Sequence, residues 1–194
     1  MRPRKGLLFQ GGPNWERRTI DNCDVVAKLP EILNGASVLI DANGTAWMPG
    51  SFCHQQTPFR TLVKFLTTYT VPRVDVQLSA SVQSQQGTQI WANFTATNAI
   101  VAPSLGRSLS GGASNIAVNI VDPGTMFGDR VNQLDLRFGK IVRYGPTRAN
   151  ISLDLYNALN SNSVVKLNQA YATWQRPQEI LNHRFAKLVL QFSF

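Results

Sequence analysis

The carboxyl-terminal segment, residues 184–194, alternates between apolar and polar positions. One set of alternate positions holds Ala186, Leu188, Leu190, Phe192 and Phe194, and the other holds Phe185, Lys187, Val189, Gln191 and Ser193. A period of two predicts a β-strand, because successive side chains of a strand point to opposite faces. One face is mostly apolar and the other mostly polar, so the two faces need different solvents. Lipid on one side and water on the other would satisfy them, as in a bacterial transmembrane β-barrel.

Similar alternation along the chain predicts an all-β, antiparallel fold. Its clearest case is residues 74–83, where valine, leucine and alanine alternate with aspartate, glutamine and serine. A helix is disfavoured, because apolar residues at i and i+2 spread around a helix instead of forming one stripe. Eight strands are predicted, at residues 4–11, 60–69, 74–84, 89–97, 115–121, 131–144, 148–158 and 184–194.

The connections between these strands are of two kinds. Residues 70–73 and 145–147 form tight turns, whereas residues 11–59 and 160–183 are long and polar. Outer-membrane barrels have short periplasmic turns and longer extracellular loops, so we expect the two kinds on opposite sides, with both chain ends on the short-turn side. Residues 98–114 do not fit, because they would form a long connection on the short-turn side.

Length and composition are compatible with a barrel without requiring one. The chain has 194 residues, of which 43% are hydrophobic. It has no run of about 18 apolar residues that would predict a transmembrane helix. Barrel strands need no such run, because their apolar residues alternate with polar ones. The segment after Met1 lacks the apolar region of a signal peptide. For an outer-membrane protein, we therefore expect the natural start of the gene product to lie upstream.

The net charge of +8 does not predict a nucleic-acid site. Apart from residues 2–5 and the pair Arg17 and Arg18, the 19 lysines and arginines lie mostly singly, whereas nucleic-acid binding favours clustered basic residues with aromatics. No common hydrolase, nucleotide-binding or metalloprotease motif occurs, and His54 and His183 lie far apart in the chain. The sequence therefore predicts no enzyme activity, no cofactor and no metal site.

Two small sets of residues are candidates for particular roles. Cys23 and Cys53 share one Gly-, Pro- and Asn-rich segment without CxxC spacing, which favours a disulfide over zinc or redox chemistry, with two free thiols as the alternative. Asp135, Arg137 and Asp154 alternate with leucines and are expected to face a lumen. There they would pair across strands and hold the register, or contact a plug or passing substrate.

Short motifs stand in a particular order along nearly the whole chain. In the first half they are GG at 11–12, TIDNC at 19–23, LP at 29–30, CH at 53–54, TPF at 57–59 and YTVP at 69–72. In the second half they are LGRSLS at 105–110, NQLDLR at 132–137, Lys140, LDLYN at 153–157, Asn168, Trp174, Pro177, Ile180 with Leu181, and the terminal Phe194. Together they resemble the carboxyl-terminal region of TonB-dependent outer-membrane receptors, of the Oar-like variety that carries an N-terminal carboxypeptidase-regulatory-like domain.

The resemblance implies a barrel of about 22 strands closed around a plug. Residues 1–194 would then be the carboxyl-terminal part of its wall, about eight strands in the bacterial outer membrane. The plug, the regulatory-like domain, the periplasmic box, the signal peptide and the first barrel strands would precede this chain. The partners implied are outer-membrane lipid, those missing strands and the plug, the TonB energy-transducing complex, the barrel-assembly machinery and an imported small molecule, peptide or glycan.

The resemblance also assigns roles to parts of the chain. Residues 12–58, 123–130 and 159–183 are expected to contribute to external binding loops. Trp174 and Arg176 are candidate ligand contacts, with a packed loop anchor as the alternative. Leu190, Phe192 and Phe194 resemble the carboxyl-terminal signal that the barrel-assembly machinery reads.

Two other classes of protein fit the same alternation. A small independent eight-stranded barrel with a structural or adhesive role would pair residues 4–11 with residues 184–194. A soluble β-sandwich binding module would bury the apolar faces against each other.

Overall fold

The computed structural model describes residues 6–29 and 49–193. This part of the chain is predominantly β, and all its paired strands are antiparallel, so the predicted all-β antiparallel class is confirmed. The strands are β1 Leu7–Glu16, β2 Thr19–Asp21, β3 His54–Gln56, β4 Arg60–Val71, β5 Val76–Gln85, β6 Asn93–Thr97, β7 Asn115–Asn119, β8 Val131–Tyr144, β9 Thr147–Tyr156, β10 Val164–Leu167, β11 Pro177–Ile180 and β12 Phe185–Ser193. The α-helices are α1 Cys23–Lys28 and α2 Asn98–Leu105, and neither is long enough to cross a bilayer.

Six of these strands form the main sheet, in the order β1-β4-β5-β8-β9-β12. Each pairs with the next one along the sheet, so the sheet is a meander interrupted by three long excursions. The remaining strands form three two-stranded ribbons, β2-β3, β6-β7 and β10-β11, one in each excursion. Within the described residues, β1 and β12 each keep one unpaired edge, and the sheet does not close on itself.

The prediction of eight strands in a single wall is wrong in number. The segments predicted at residues 89–97 and 115–121 supply β6 and β7, which pair with each other and not with the main sheet. Each has only five residues, whereas a transmembrane strand needs about 9–11. Residues 86–130 are therefore one excursion between β5 and β8. The conflict over residues 98–114 disappears, because this excursion leaves the sheet on the long-loop side.

The tight turns and the long excursions lie at opposite ends of the main sheet. The β4–β5 turn contains Arg73 and Asp75, both with positive φ, and Gly145 gives the β8–β9 turn the same left-handed backbone. Arg143 forms an ion pair with Asp75, which joins the two turns. Because Leu7 pairs with Tyr69 next to the first turn, β1 begins at this end, and the register of β12 shows that it ends there.

The two faces of the main sheet differ in polarity. The apolar face, defined by side chains that the register places on one side, carries Phe9, Tyr69, Leu78, Val82, Phe138, Ile151, Leu153, Leu188, Leu190 and Phe192. These side chains are 38–67% exposed, so the described residues leave this face uncovered. The polar face carries threonines on β4 and serines, glutamines and charged residues on β5, β8 and β9, and its apolar side chains include leucines on β1 and β4.

The buried core lies mainly outside the main sheet, among the second and third excursions. Ile90, Trp91, Ala92 and Ala96 are buried there. Asn119 is fully buried among them, and its Oδ1 accepts hydrogen bonds from the backbone N–H groups of Ala92 (3.2 Å) and Val121 (3.3 Å). We call residues 86–121 with residues 168–174 the loop cluster, because Asn93 N–H donates to Gln169 O and joins the two stretches.

Candidate functional site

The polar face of the main sheet holds an ion pair between neighbouring strands. Arg137 on β8 lies directly opposite Asp154 on β9. Its Nε is 2.6 Å from Asp154 Oδ1, and a terminal guanidinium nitrogen is 2.7 Å from Oδ2. Such a two-pronged contact is the geometry that best joins guanidinium and carboxylate. Only 5% of the Asp154 side chain is exposed, against 45% for Arg137, so one face of the guanidinium still meets solvent.

Asp135 lies on the same face, two positions before Arg137 on β8. Its carboxylate accepts hydrogen bonds from Gln133 Nε2 at 3.0 Å and from the backbone N–H of Asn157 at 2.8 Å. The structure thus brings the three predicted lumen-facing charges into one region, although no lumen is enclosed by the described residues. The ion pair between Arg137 and Asp154 joins two neighbouring strands, which is the geometry expected if these charges hold the register of the sheet.

These charges line a depression of about 420 Å³ that extends over four neighbouring strands, β4, β5, β8 and β9. Its remaining polar lining comes from Thr68, Gln77, Ser79 and Ser81, and Thr68 Oγ1 donates to Ser79 Oγ at 3.0 Å. Hydroxyls, an amide, a carboxylate and an exposed guanidinium edge are suited to hydrogen-bonding a polar ligand or another polar protein surface. Among the described residues, no group of three or more His, Cys, Asp or Glu is placed to hold a metal ion.

Asn157 fixes the exit from β9 into the third excursion. It has a positive φ of 47°, and its side chain is almost fully buried. Nδ2 donates to the carbonyl oxygens of Ser161 (2.8 Å) and Asn182 (2.7 Å), and Oδ1 accepts from Ser161 N–H (2.9 Å). With the bond from its N–H to Asp135, this residue joins the polar face to the excursion. In the sequence, this residue is the asparagine that ends the LDLYN motif. Asparagine is a signal for such a turn because it tolerates the left-handed conformation and closes local turns.

Arg130 was not singled out by the sequence, yet it joins three strands where β8 begins. Its Nε donates to Ser84 Oγ at 2.7 Å, and a terminal nitrogen donates to Thr61 O at 2.6 Å. The guanidinium therefore fastens the loop-side ends of β4 and β5 to the end of the second excursion. No local pattern distinguishes an arginine with this role from a solvated one, because its partners are distant in sequence.

The first excursion is held by a disulfide between Cys23 and Cys53, with their Cα atoms 4.8 Å apart. Next to it, Asp21 Oδ1 accepts the Cys23 N–H at 3.1 Å, and Oδ2 lies 3.0 Å from His54 Nδ1. The Cys23 N–H and then the His54 imidazole hold the pKa of the Asp21 carboxyl below its usual value of 3.8. The end of β2 and the start of β3 are thus tied together at one exposed point.

Trp174 and Arg176, the predicted ligand contacts, differ in their surroundings. Trp174 is half-buried in the loop cluster, where its Nε1 donates to Trp91 O at 2.8 Å, as a packed anchor would. Arg176 is exposed, and its backbone pairs with Asn168 and Thr173. The role of its side chain in ligand contact stays a prediction.

The predicted carboxyl-terminal signal lies on β12. Leu190 and Phe192 lie on the apolar face and are more than half exposed, whereas Phe194 lies outside the described residues. On the polar face of the same strand, Phe185 stacks on Tyr156 of β9, with ring centroids 4.7 Å apart.

No family model matches the chain, and neither the curated proteins nor the solved structures contain a match.

Proposed function

We propose that this chain forms part of the wall of an outer-membrane β-barrel of the TonB-dependent receptor type. The observation that carries the proposal is the main sheet, with one exposed apolar face and one polar face. A soluble monomer rarely exposes a contiguous apolar patch larger than a few hundred Å². Lipid against the apolar face and water against the polar face would suit the alternation of the six strands, with Lys140 near the turn end of β8 as the charged exception on the apolar face.

Strand length supports the same proposal. The six strands of the main sheet have 10, 12, 10, 14, 10 and 9 residues. A tilted strand needs about 9–11 residues to cross the hydrocarbon core. The strands of the three excursions have only three to five residues. The long strands thus all lie in the main sheet and the short ones in the excursions, as a membrane-spanning wall with external loops requires.

The unpaired edges of β1 and β12 are the reason to propose a larger barrel. Backbone N–H and C=O groups at an open edge would be unsatisfied in lipid, at a cost of several kcal/mol for each group. In lipid the two edges would pair with each other, as in the small barrel, or with further strands. The resemblance to TonB-dependent receptors favours further strands, with a plug against the polar face. In this proposal the excursions form part of the external mouth, and the function is uptake of a substrate rather than catalysis.

Labelling of two adjacent positions on β5 tests the membrane proposal. Leu78 lies on the apolar face and Gln77 on the polar face, and the native cysteines are paired in a disulfide. We expect an environment-sensitive fluorophore on Leu78→Cys to be quenched by brominated lipid after reconstitution in vesicles, and the same fluorophore on Gln77→Cys to be spared. Equal quenching at both positions, or a wild-type chain that is monodisperse without detergent, would contradict the proposal.

The reading frame upstream of this chain separates the receptor from the small independent barrel. A sequence that encodes a plug followed by the first barrel strands, upstream of residue 1 in the same reading frame, is expected for a TonB-dependent receptor. A stop codon followed by an export signal just upstream would instead favour the small barrel with a structural or adhesive role.

A further inference from the structure

The loop cluster contains an apolar groove that is separate from the polar face of the main sheet. Its volume is about 560 Å³, within the range of roughly 300–1,000 Å³ that is typical of small-molecule sites. The groove lies between α2, the segment that follows it, and β7. Its apolar lining includes Val101, Leu105, Leu109, Ile116 and Val118.

Of the described residues that line this groove, one is charged, and its position in the sequence is unusual. Between Asp75 and Asp122, Arg107 is the only charged residue of the chain. Its guanidinium donates to Ser108 O at 3.3 Å and to Ser110 Oγ at 3.2 Å, both of which are neutral acceptors. In residues 6–29 and 49–193, no carboxylate forms an ion pair with it. A guanidinium has five N–H donors, so most of its capacity is left for a ligand.

The backbone around Arg107 is held in place by Asn98, the first residue of α2. Asn98 Oδ1 accepts the Leu109 N–H at 2.9 Å, and its Nδ2 donates to Ser108 Oγ at 3.3 Å. Gly106 ends the helix in the left-handed conformation, with φ of 69°, and turns the chain back. The segment 106–110 is thus folded against the start of its own helix. Arg107 and Leu109 are positioned on the groove before any ligand arrives.

We propose that this groove binds a small hydrophobic carboxylate, a compact apolar body that carries a single negative charge. The apolar lining would take up the body, and Arg107 would pair with the carboxylate. Charge complementarity indicates an anionic ligand, because the part of the lining that belongs to the described residues has one cation and no acidic side chain. The site lies at the loop end of the molecule and does not depend on a membrane around the main sheet.

Binding of 1-naphthoate by the full chain tests the proposal. The protein is used in lipid nanodiscs, with empty discs subtracted, or in buffer if it is soluble, because a detergent tail would compete for an apolar groove. We expect saturable binding, a loss of affinity of at least about tenfold in Arg107→Gln, and an intermediate affinity in Arg107→Lys, which keeps the charge without the planar fork. The neutral analogue 1-naphthylmethanol should bind more weakly than the acid.

Two further variants control for folding and for general loss of charge. Lys166→Gln removes a cation from β10, away from the groove, and should leave naphthoate affinity unchanged. Leu105→Glu adds a negative charge at a side chain that is already 43% exposed, so it should fold and yet repel the ligand. Absence of binding to the wild type, equal affinity in the Arg107→Gln and Lys166→Gln variants, or equal binding of acid and alcohol would each overturn the proposal. Because no membrane insertion is measured, failure here leaves the outer-membrane proposal standing.

Discussion

The loop cluster and the main sheet satisfy their apolar side chains in different ways. In the loop cluster, Ile90, Trp91 and Ala92 are buried by neighbouring protein, with Asn119 fully bonded among them. In the main sheet, Leu188 and Phe192 remain more than half exposed on a face that the described residues do not cover. The first arrangement is that of an ordinary protein core, whereas the second requires an apolar solvent or a partner.

Substitutions in the two regions should respond differently to the surrounding solvent. A substitution in the loop cluster should cost the same in water and in a bilayer, since its surroundings are protein. A substitution on the apolar face should depend on what lies against that face. Measuring the stability cost of both kinds of substitution, in water and in a bilayer, therefore tests whether the two regions differ in this way.

The largest effect is expected from Trp91→Ala. The side chain is buried in the loop cluster, and truncating a buried tryptophan typically costs about 3–5 kcal/mol. We expect hydrogen exchange to rise across β6, β7 and α2, with little change in β8 and β9. Leu159→Ala truncates an apolar side chain that is 60% exposed and serves as the control. Loss of protection throughout the main sheet would show that the two regions form one cooperative unit.

The next effect is expected from Leu188→Arg, in the middle of the apolar face of β12. A cation on the lipid face of a barrel costs about 2–4 kcal/mol near the bilayer midplane. In water, a leucine that is 67% exposed should tolerate the change within about 0.5 kcal/mol. Urea unfolding in vesicles measures the first cost. Gln191→Arg, on the polar face of the same strand, should cost little in either environment, and an equal cost for the two variants in vesicles would contradict the assignment of the faces.

A smaller effect is expected from Asn157→Ala, because Asn157 connects the two regions. The change removes three side-chain hydrogen bonds and leaves buried partners unsatisfied, with an expected cost of about 1–3 kcal/mol. Asn157→Gly loses the same bonds but accepts the positive φ without strain, so it should cost less than alanine. Limited proteolysis between β9 and β12 compares the two. Equal protease resistance in both variants and the wild type would mean that the bonds do not hold the excursion.

The sequence predicted the main sheet well, because each of its strands repeats one local pattern. Alternation at 74–84 and 131–144 lies close to the observed β5 and β8, and tight turns predict the pairing of β4 with β5 and of β8 with β9. Alternation predicts a strand, but it does not predict the strand with which it pairs. Residues 89–97 and 115–121 therefore seemed equivalent to the others, although they pair only with each other. The observed strands have only five residues each, and the alternation did not predict this shorter length.

The candidate site was only partly predictable. Asp135, Arg137 and Asp154 could be placed on one face from the period of two, whereas the contact between Arg137 and Asp154 depends on a register that a tight turn fixes. The roles of Arg130 and Arg107 depend on partners or a groove assembled from distant segments. In the sequence, each is a single arginine among polar residues.

The smallest effect is a pH dependence at the β2–β3 ribbon. Because the folded pKa of Asp21 is lowered below 3.8, the ionised carboxylate stabilises the ribbon above that pH, and this contribution is lost as the pH falls through the folded pKa. An NMR titration of the Asp21 carboxyl carbon should therefore give a midpoint below 3.8, and the Cys23 amide proton should shift with the same midpoint. In Asp21→Asn, the Cys23 shift should disappear.

The two causes of this lowered pKa can be separated with His54→Gln. The hydrogen bond from the Cys23 N–H is the larger cause and the His54 imidazole the smaller, so the midpoint should rise in this variant but stay below 3.8. Disulfide reduction acts mainly on the smaller cause. It releases Cys53 and the neighbouring His54, whereas the Cys23 N–H follows Asp21 by two residues along the chain, so the midpoint should again rise but stay below 3.8. A midpoint that returns fully to 3.8 in His54→Gln, with the disulfide intact, would mean that the imidazole and not the backbone N–H holds the carboxylate ionised.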